Sequence, residues 1–275
     1  MLHVLAMTVA SASFSSTVSA QTGHTHGESH DHGVGLHVNP RWKECSFQLD
    51  PSLTQAAWHQ FTQEAGLVTY FRPLLDARPM GRGTVEVSVL QWETGIDDTD
   101  AAWNDTFVHP DSTHWLFEGP RLAFPGLTVR AGVTDGIDVG AYVTKAPGAN
   151  YGFFGGQVQY NVVHDVQKNW AASTRVSFVS MYGPEDLELT VYGADLLASR
   201  RYTAFTWAAV SPYVGVSTYL STSHETTSAV NLDDENVLGA QGMVGAVVEL
   251  SKARLAAEYS LARVNSISMK LGVSF

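Results

Sequence analysis

The sequence predicts an all-β protein, a transmembrane antiparallel up-and-down β-barrel of about ten strands with a short N-terminal periplasmic helix. Three observations lead to this fold class. From Thr84 to the C-terminus, apolar residues recur with a period of two in runs of about ten residues, a length that crosses a bilayer at a tilt. Charged residues stand on the polar side of these runs. The links between the runs alternate between long and short.

The length and polarity of the runs distinguish this barrel from a soluble one. Strands of soluble sandwiches average about five or six residues. The polar side of the predicted strands carries charges that a lipid face would not tolerate but that a lumen accepts when they pair. Six of these residues form the predicted lumen charge network: Glu86, Arg130, Glu249, Arg254, Glu258 and Lys270. A barrel of this size encloses little more than its own side chains, so we expect the network to close the lumen. The alternative is a narrow channel lined by these groups.

The links between the runs predict a topology. Long links are expected at 94–120, 145–151, 181–186 and 222–236, and short ones at Asp135, 164–168, 201–206 and 251–253. Outer-membrane barrels carry their longer loops outside and short turns in the periplasm. Both mature termini would then be periplasmic. Twelve strands is the alternative count, if 67–72 and 113–119 join the sheet.

The N-terminal third is predicted to divide into three parts before the barrel of residues 84–275. Residues 1–20 have a short apolar stretch and the small residues Val18, Ser19 and Ala20 of a signal-peptide cleavage site, although Lys and Arg are missing from its start. Residues 21–50 form a disordered His-rich periplasmic tail. Residues 51–83 form a short helix and strand, acting as a plug or a periplasmic cover.

The helix within residues 51–83 is predicted from its start signal and its periodicity. Asp50, Pro51 and Ser52 mark the start, and Leu53, Ala56, Ala57 and Phe61 fall on one face. Gly66 is expected to end it. A short strand over Leu67–Arg72 would follow, stopped by Pro73.

The last seven residues, Met269 to Phe275, alternate apolar and polar or small residues and end on an aromatic. This segment resembles the terminal strand of bacterial outer-membrane β-barrel proteins. The resemblance covers the signal peptide and roughly residues 84–275, and no subfamily is identified. It implies a bacterial outer-membrane location, assembly by the barrel assembly machinery, and contact with outer-membrane lipid and lipopolysaccharide. The class includes porins, lipases, proteases, adhesins and structural anchors, so its membership leaves the function open.

Composition excludes several other classes. The formal net charge of −11 argues against a nucleic-acid partner. The single cysteine, Cys45, excludes an intrachain disulfide framework. After residue 20 the chain has no apolar run of the roughly 18 residues that a spanning helix needs. We expect a monomer.

Two groups of residues are candidate metal ligands. His24, His26, His30, Asp31 and His32 have a spacing that can close on Zn, Ni or Cu even in a flexible chain. The alternative is a polar tail whose histidines chelate metal incidentally. The acidic links at 97–100 and 233–235 are candidates for Ca or Mg, or else simply solvated loops.

Three functional hypotheses follow. The leading one is a non-enzymatic outer-membrane barrel, either a narrow channel or transporter of small solutes or ions, or a structural or surface-binding barrel. The second is metal uptake through the His-rich tail. The third is a lipid-modifying or proteolytic enzyme, which would require Ser221, Ser223 and His224 to meet the carboxylates of 97–100. The sequence has no nucleophile elbow, so no catalytic residue is assigned.

Overall fold

The computed structural model describes residues 46–108, 121–145 and 149–275. The signal peptide, the histidines of the predicted metal site and the alternative strand at 113–119 lie outside the described residues.

Ten strands close into a barrel, which confirms the predicted fold class. They are β2 (Val85–Gly95), β4 (Arg121–Gly132), β5 (Ile137–Lys145), β6 (Gly152–Asp165), β7 (Trp170–Tyr182), β8 (Leu187–Arg200), β10 (Ala208–Glu225), β11 (Glu235–Leu250), β12 (Ala253–Leu261) and β13 (Ser266–Ser274). Each strand pairs antiparallel with the next of these, β10 pairs with β11, and β13 pairs with β2 to complete the ring. The short β9 (Tyr202–Phe205) adds to the edge of β10.

The period-two pattern places apolar side chains outside the barrel and polar side chains inside it. On β4, for example, Val129 is 46% exposed whereas its neighbour Arg130 is 3% exposed. An exposed apolar surface of this extent around a whole barrel is suited to lipid and not to water. Large aromatic side chains surround one end of it, as expected at a membrane interface: Trp170, Tyr202, Phe205, Trp207 and Phe275. Neither described helix is long and apolar enough to cross a bilayer.

The two ends of the barrel differ in their links. One, here named the loop end, carries the links 96–120, 146–151, 183–186, 226–234 and 262–265. The other, the turn end, carries the links 133–136, 166–169, 201–207 and 251–252. The chain also enters β2 at the turn end, where Phe275 and Val85 exchange backbone hydrogen bonds of 2.8 and 3.2 Å. The first strand and the last residue therefore meet at one end.

Helix α1 (Gln55–Val68) lies ahead of the barrel strands in sequence. Its N-cap is Thr54, whose side chain accepts a hydrogen bond from the Ala57 N–H. Gly66 does not end the helix as predicted but lies inside it, where a Cβ would come within 2.6 Å of the Tyr219 ring. The glycine thus allows the helix to approach the barrel wall. The predicted strand over Leu67–Arg72 is wrong, because its first two residues are the last of the helix.

The position of α1 corrects a second prediction. The helix was expected on the side of Phe275, but it lies at the loop end: Thr62 hydrogen-bonds Ser223 near the end of β10, and Gln55 hydrogen-bonds Glu235 at the start of β11. Ala56, expected on its buried face, is exposed, and Trp58 is buried in its place. The helix therefore closes the loop end of the lumen.

The predicted disordered tail also ends earlier than expected. Residues 46–50 are ordered, with β1 (Ser46–Phe47) paired to β3 (Phe107–Val108) in the link between β2 and β4. A short helix, α2 (Ala101–Asn104), precedes β3 in the same link. Phe47 is 1% exposed and packs against Phe107 and Tyr151. Burial of this ring against the loop end explains the order of the segment.

Candidate functional site

The lumen is occupied by α1 and by residues 69–83, here named the threaded segment. The segment has no helix or strand. Its residues hydrogen-bond inward-facing side chains of the wall from several sides, including Asp195 of β8, Gln241 of β11 and Glu258 of β12. Contacts in so many directions place the segment inside the barrel. The candidate site is therefore this filled lumen.

Arg72 of the threaded segment joins three wall strands, β11, β12 and β13. Its guanidinium donates to Gln241 at 2.7 Å, to Ser260 at 3.1 Å and to Ser266 at 2.7 Å. It also donates to the carbonyl oxygen of Leu67 at 2.5 Å, in the last turn of α1. The planar guanidinium carries several N–H donors in a fixed arrangement, so it can bind several acceptors at once. Arg72 thus holds the start of the segment to the wall.

A second arginine, Arg175 of β7, reaches the segment from the wall. It donates to Asp195 at 2.6 Å, to Gln157 at 2.7 Å and to the carbonyl oxygen of Phe71 at 2.6 Å. The hydroxyl of Tyr70 donates to the same Asp195 at 2.8 Å. Arg175 and Asp195 are both buried, so the pair meets the requirement that buried charges be paired and hydrogen-bonded.

Most of the predicted lumen charges lie together near the turn end. Glu86 accepts from Lys270 at 2.7 Å and from Arg254 at 3.1 Å. Arg254 also lies 3.4 Å from Glu249. Arg130 pairs with Asp138 at 3.2 Å.

The threaded segment supplies two charges to this cluster that the sequence reasoning missed, Asp76 and Arg78. Arg78 donates to Asp76 and to Glu249, each at 2.7 Å, and Asp76 lies 3.4 Å from Arg254. Nothing local in the sequence distinguishes these two charges from ordinary linker residues, since links between elements are usually polar.

Glu258 stands apart from that cluster. Its carboxylate accepts from the Tyr213 hydroxyl at 2.7 Å and from the backbone N–H of Leu74 at 3.3 Å. It therefore anchors the backbone of the threaded segment instead of pairing with the cations of the turn end.

The wall next to α1 departs from the predicted orientation. The period-two rule places the apolar Leu187, Leu189 and Val191 of β8 on the lipid side, yet each is 2% exposed and faces the lumen. Glu188, expected inside, is exposed. These side chains face inward because α1 offers them an apolar packing partner in the loop-end part of the lumen. Aromatic rings of α1 and of the neighbouring loop-end residues pack against one another here: Phe47, Trp58, Phe61, Trp103, Phe107 and Tyr151.

A polar crevice of about 700 Å³ opens at the loop end beside α1. Glu64 forms part of it and binds Trp103, Arg263 and Gln60 at 2.7, 2.9 and 3.1 Å. Asp97 lies on its rim, where hydrogen bonds from the Thr99 hydroxyl and backbone lower the pKa of its carboxyl. In the described part of the chain, no group of three or more His, Cys, Asp or Glu residues could hold a metal ion.

The residues considered for catalysis do not meet. Ser221 and Ser223 are buried and face the lumen, and Ser223 hydrogen-bonds Thr62 of α1. His224 is the next residue on the strand and faces outward, where its Nδ1 lies 2.5 Å from Asp234. Neighbouring residues on a strand point to opposite faces, so Ser223 and His224 cannot act as a nucleophile and its base.

An apolar groove of about 710 Å³ crosses the outer wall where β4 and β5 separate. Their pairing stops at Leu127 and Val143, and β4 continues without β5 toward the loop end. Pro125 lies in this stretch and has no N–H to offer a partner strand. Thr144 donates to its carbonyl oxygen, which satisfies one exposed backbone group.

No family model matches this chain, and no curated relative was found. Solved structures to which it is similar include the β-domain of the Bordetella autotransporter BrkA, with 11% identity, a TM-score of 0.41, and coverage of 70% of this chain and 100% of that one. An outer-membrane channel from Pseudomonas putida F1 has 14% identity, a TM-score of 0.40 and coverage of 73% and 98%. LpxR from Salmonella typhimurium has 11% identity, a TM-score of 0.36 and coverage of 70% and 99%. The strand pairing and outer surface of this chain itself define its barrel.

Proposed function

We propose that this chain is a bacterial outer-membrane barrel closed by its own N-terminal segment, and that it acts as a structural or surface-binding barrel with its loop end outward. The observation that carries the proposal is the occupied lumen. Trp58 and Phe61 of α1 and Arg72 of the threaded segment are each no more than 1% exposed. An open aqueous path would leave such side chains in contact with water.

The outer-membrane location is supported by the apolar outer surface, the aromatic residues around the turn end and the terminal Phe275. The barrel assembly machinery and lipopolysaccharide are the partners that this location implies. The loop end, with its polar crevice and acidic links, is the surface available to a ligand outside the cell. Metal binding by His24, His26, His30, Asp31 and His32 stays a prediction.

A narrow channel is the second candidate, and one observation favours it. The threaded segment has no regular secondary structure and is attached by side-chain hydrogen bonds, so its release would not require a barrel strand to unpair. Solutes would then pass the charges of the turn end.

Single-channel recording in planar bilayers separates the two candidates. We expect no stable conductance steps from the full-length protein. Gly66→Leu should produce openings, because a side chain there meets Tyr219 and pushes α1 away from the wall. Gly136→Leu is the matched control, since nothing lies within 4 Å of a Cβ at this turn-end position. Stable steps from the unmodified protein would overturn the closed barrel and establish the channel.

A further inference from the structure

We propose that the chain immediately preceding Ser46 lies on the opposite side of the membrane from Phe275. The inference rests on the proposed membrane location and concerns the path of residues 46–83. It replaces the expectation that both mature termini are periplasmic. On this proposal the barrel displays its own N-terminal segment outside the cell.

The first observation is the order of contacts along the lumen. Thr62 meets Ser223, which pairs with Leu189 near the loop end of β8. Tyr70 then meets Asp195 farther along β8, and the Ala77 N–H donates to Ser199, near the turn end of the same strand, at 3.0 Å. Residues later in the sequence thus lie steadily nearer the turn end. The path is a single traverse from the loop end to the turn end.

At the turn end, the path is held in place by hydrogen bonds and close contacts of the backbone of residues 80–83. The Met80 N–H lies 3.2 and 3.1 Å from the Asp138 oxygens, and the Gly83 N–H donates to the Gly132 carbonyl oxygen at 2.9 Å. A Cβ on Gly132 would lie 1.9 Å from the Gly81 carbonyl oxygen, so the threaded segment is in close contact with the barrel rim at this point. The chain then enters β2 at Val85.

At the loop end, residues 46–49 contact three different loop-end links. Ser46 and Phe47 pair with Phe107 and Val108 in the first link. The Phe47 N–H and carbonyl oxygen bond the Asn150 side chain in the second at 2.9 and 2.6 Å. The Leu49 N–H donates to Asp186 in the third at 3.0 Å. The path of residues 46–83 therefore starts at the loop end.

A return of the preceding chain to the turn end would need a second route across the membrane. The lumen is filled by α1 and the threaded segment. A route through lipid would strand polar backbone groups in a hydrocarbon layer of about 30 Å. The predicted metal ligands His24, His26, His30, Asp31 and His32 precede Ser46 in the sequence, so the reason for assigning them to the periplasm disappears.

Epitope access in intact cells tests the proposal. One short epitope is inserted in separate full-length variants after residue 40, after Ser228 in an exposed loop-end link, and after Asp135 in an exposed turn-end link. Antibody binding is measured before and after permeabilisation of the outer membrane. We expect the tag after residue 40 to behave like the tag after Ser228, with access in intact cells, whereas the tag after Asp135 requires permeabilisation.

The proposal is overturned if the tag after residue 40 follows the tag after Asp135. If the barrel were inserted in the reverse direction, the tag after Asp135 would be accessible in intact cells and the tag after Ser228 would not. The two control sites therefore report the orientation of the barrel independently of the tag after residue 40. Membrane fractionation tests the location itself. If an insertion prevents folding, Asn39→Cys in a Cys45→Ser background, labelled with an impermeant maleimide, replaces it, with Ser228→Cys and Asp135→Cys as controls.

Discussion

The two halves of the lumen are filled in different ways. The loop-end half contains a helix, and the wall facing it is apolar, with Leu187, Leu189 and Val191 turned inward. The turn-end half contains a segment without regular structure, and the wall facing it is charged, with Glu86, Arg254 and Lys270 among its inward residues. One barrel therefore has two kinds of interior.

The difference follows from where the backbone hydrogen bonds of the filling segment go. A helix satisfies most of its own N–H and C=O groups, so its neighbours need only apolar side chains. A chain without helix or strand must find partners elsewhere. The wall supplies them to the threaded segment: Glu258 accepts from Leu74, Ser199 from Ala77 and Asp138 from Met80. The local structure of the filling segment thus determines the polarity of the wall.

The largest expected effect is at the charged turn-end half. Glu86→Gln removes the negative charge that lies 2.7 Å from Lys270, whose ammonium is nearly fully buried. Removing one partner of a buried pair costs about 3–5 kcal/mol, so we expect a loss of this order in the free energy of unfolding. Urea titration in detergent micelles, followed by tryptophan fluorescence, measures it.

The double variant Glu86→Gln with Lys270→Met is the control for that measurement. It removes the stranded cation together with its partner and should recover much of the stability. If the single and double variants are equally unstable, the loss is not electrostatic and the charged half is not held by its ion pairs.

A smaller effect is expected in the apolar loop-end half. Leu189→Ala empties space between β8 and α1 and should cost about 2–5 kcal/mol, the range for a buried leucine. Leu196→Ala on the same strand is the matched control. Its side chain is 61% exposed on the outer surface, where lipid can fill the space. Equal losses at the two positions in micelles would contradict the inward assignment of Leu189.

The same contrast explains what the sequence could predict. The outer face of the strands is predictable because lipid imposes one rule, apolar side chains at every second position. The lumen has no single rule, since its walls match whatever fills it. Glu86 and Lys270 are accordingly buried beside the threaded segment, whereas beside α1 it is the apolar Leu187 that faces the lumen and the charged Glu188 that is exposed.

The path of the filling segment was the least predictable feature. The sequence predicts a helix after Asp50 and a plug or cover, but nothing local tells at which end that helix lies. Its position is set by contacts between residues far apart in sequence, such as Gln55 with Glu235 and Leu49 with Asp186. The role of Arg72 depends on the same long-range pairing, with partners on three different strands.

The smallest expected effect separates the rim of the turn end from its interior. Arg201 pairs with Glu249 at 2.9 Å, but its side chain is 37% exposed. An exposed pair contributes about 0.2–1 kcal/mol and is screened by salt. Arg201→Gln should therefore lower the free energy of unfolding only slightly.

A double-mutant cycle with Glu249→Gln measures the coupling energy between Arg201 and Glu249. This coupling energy should decrease further at high ionic strength. The coupling between Glu86 and Lys270, measured in the same way, should change little with salt because water and ions do not reach it. Equal salt sensitivity of the two couplings would mean that solvent reaches Glu86 and Lys270, and the distinction between the rim and the interior of the turn end would fail.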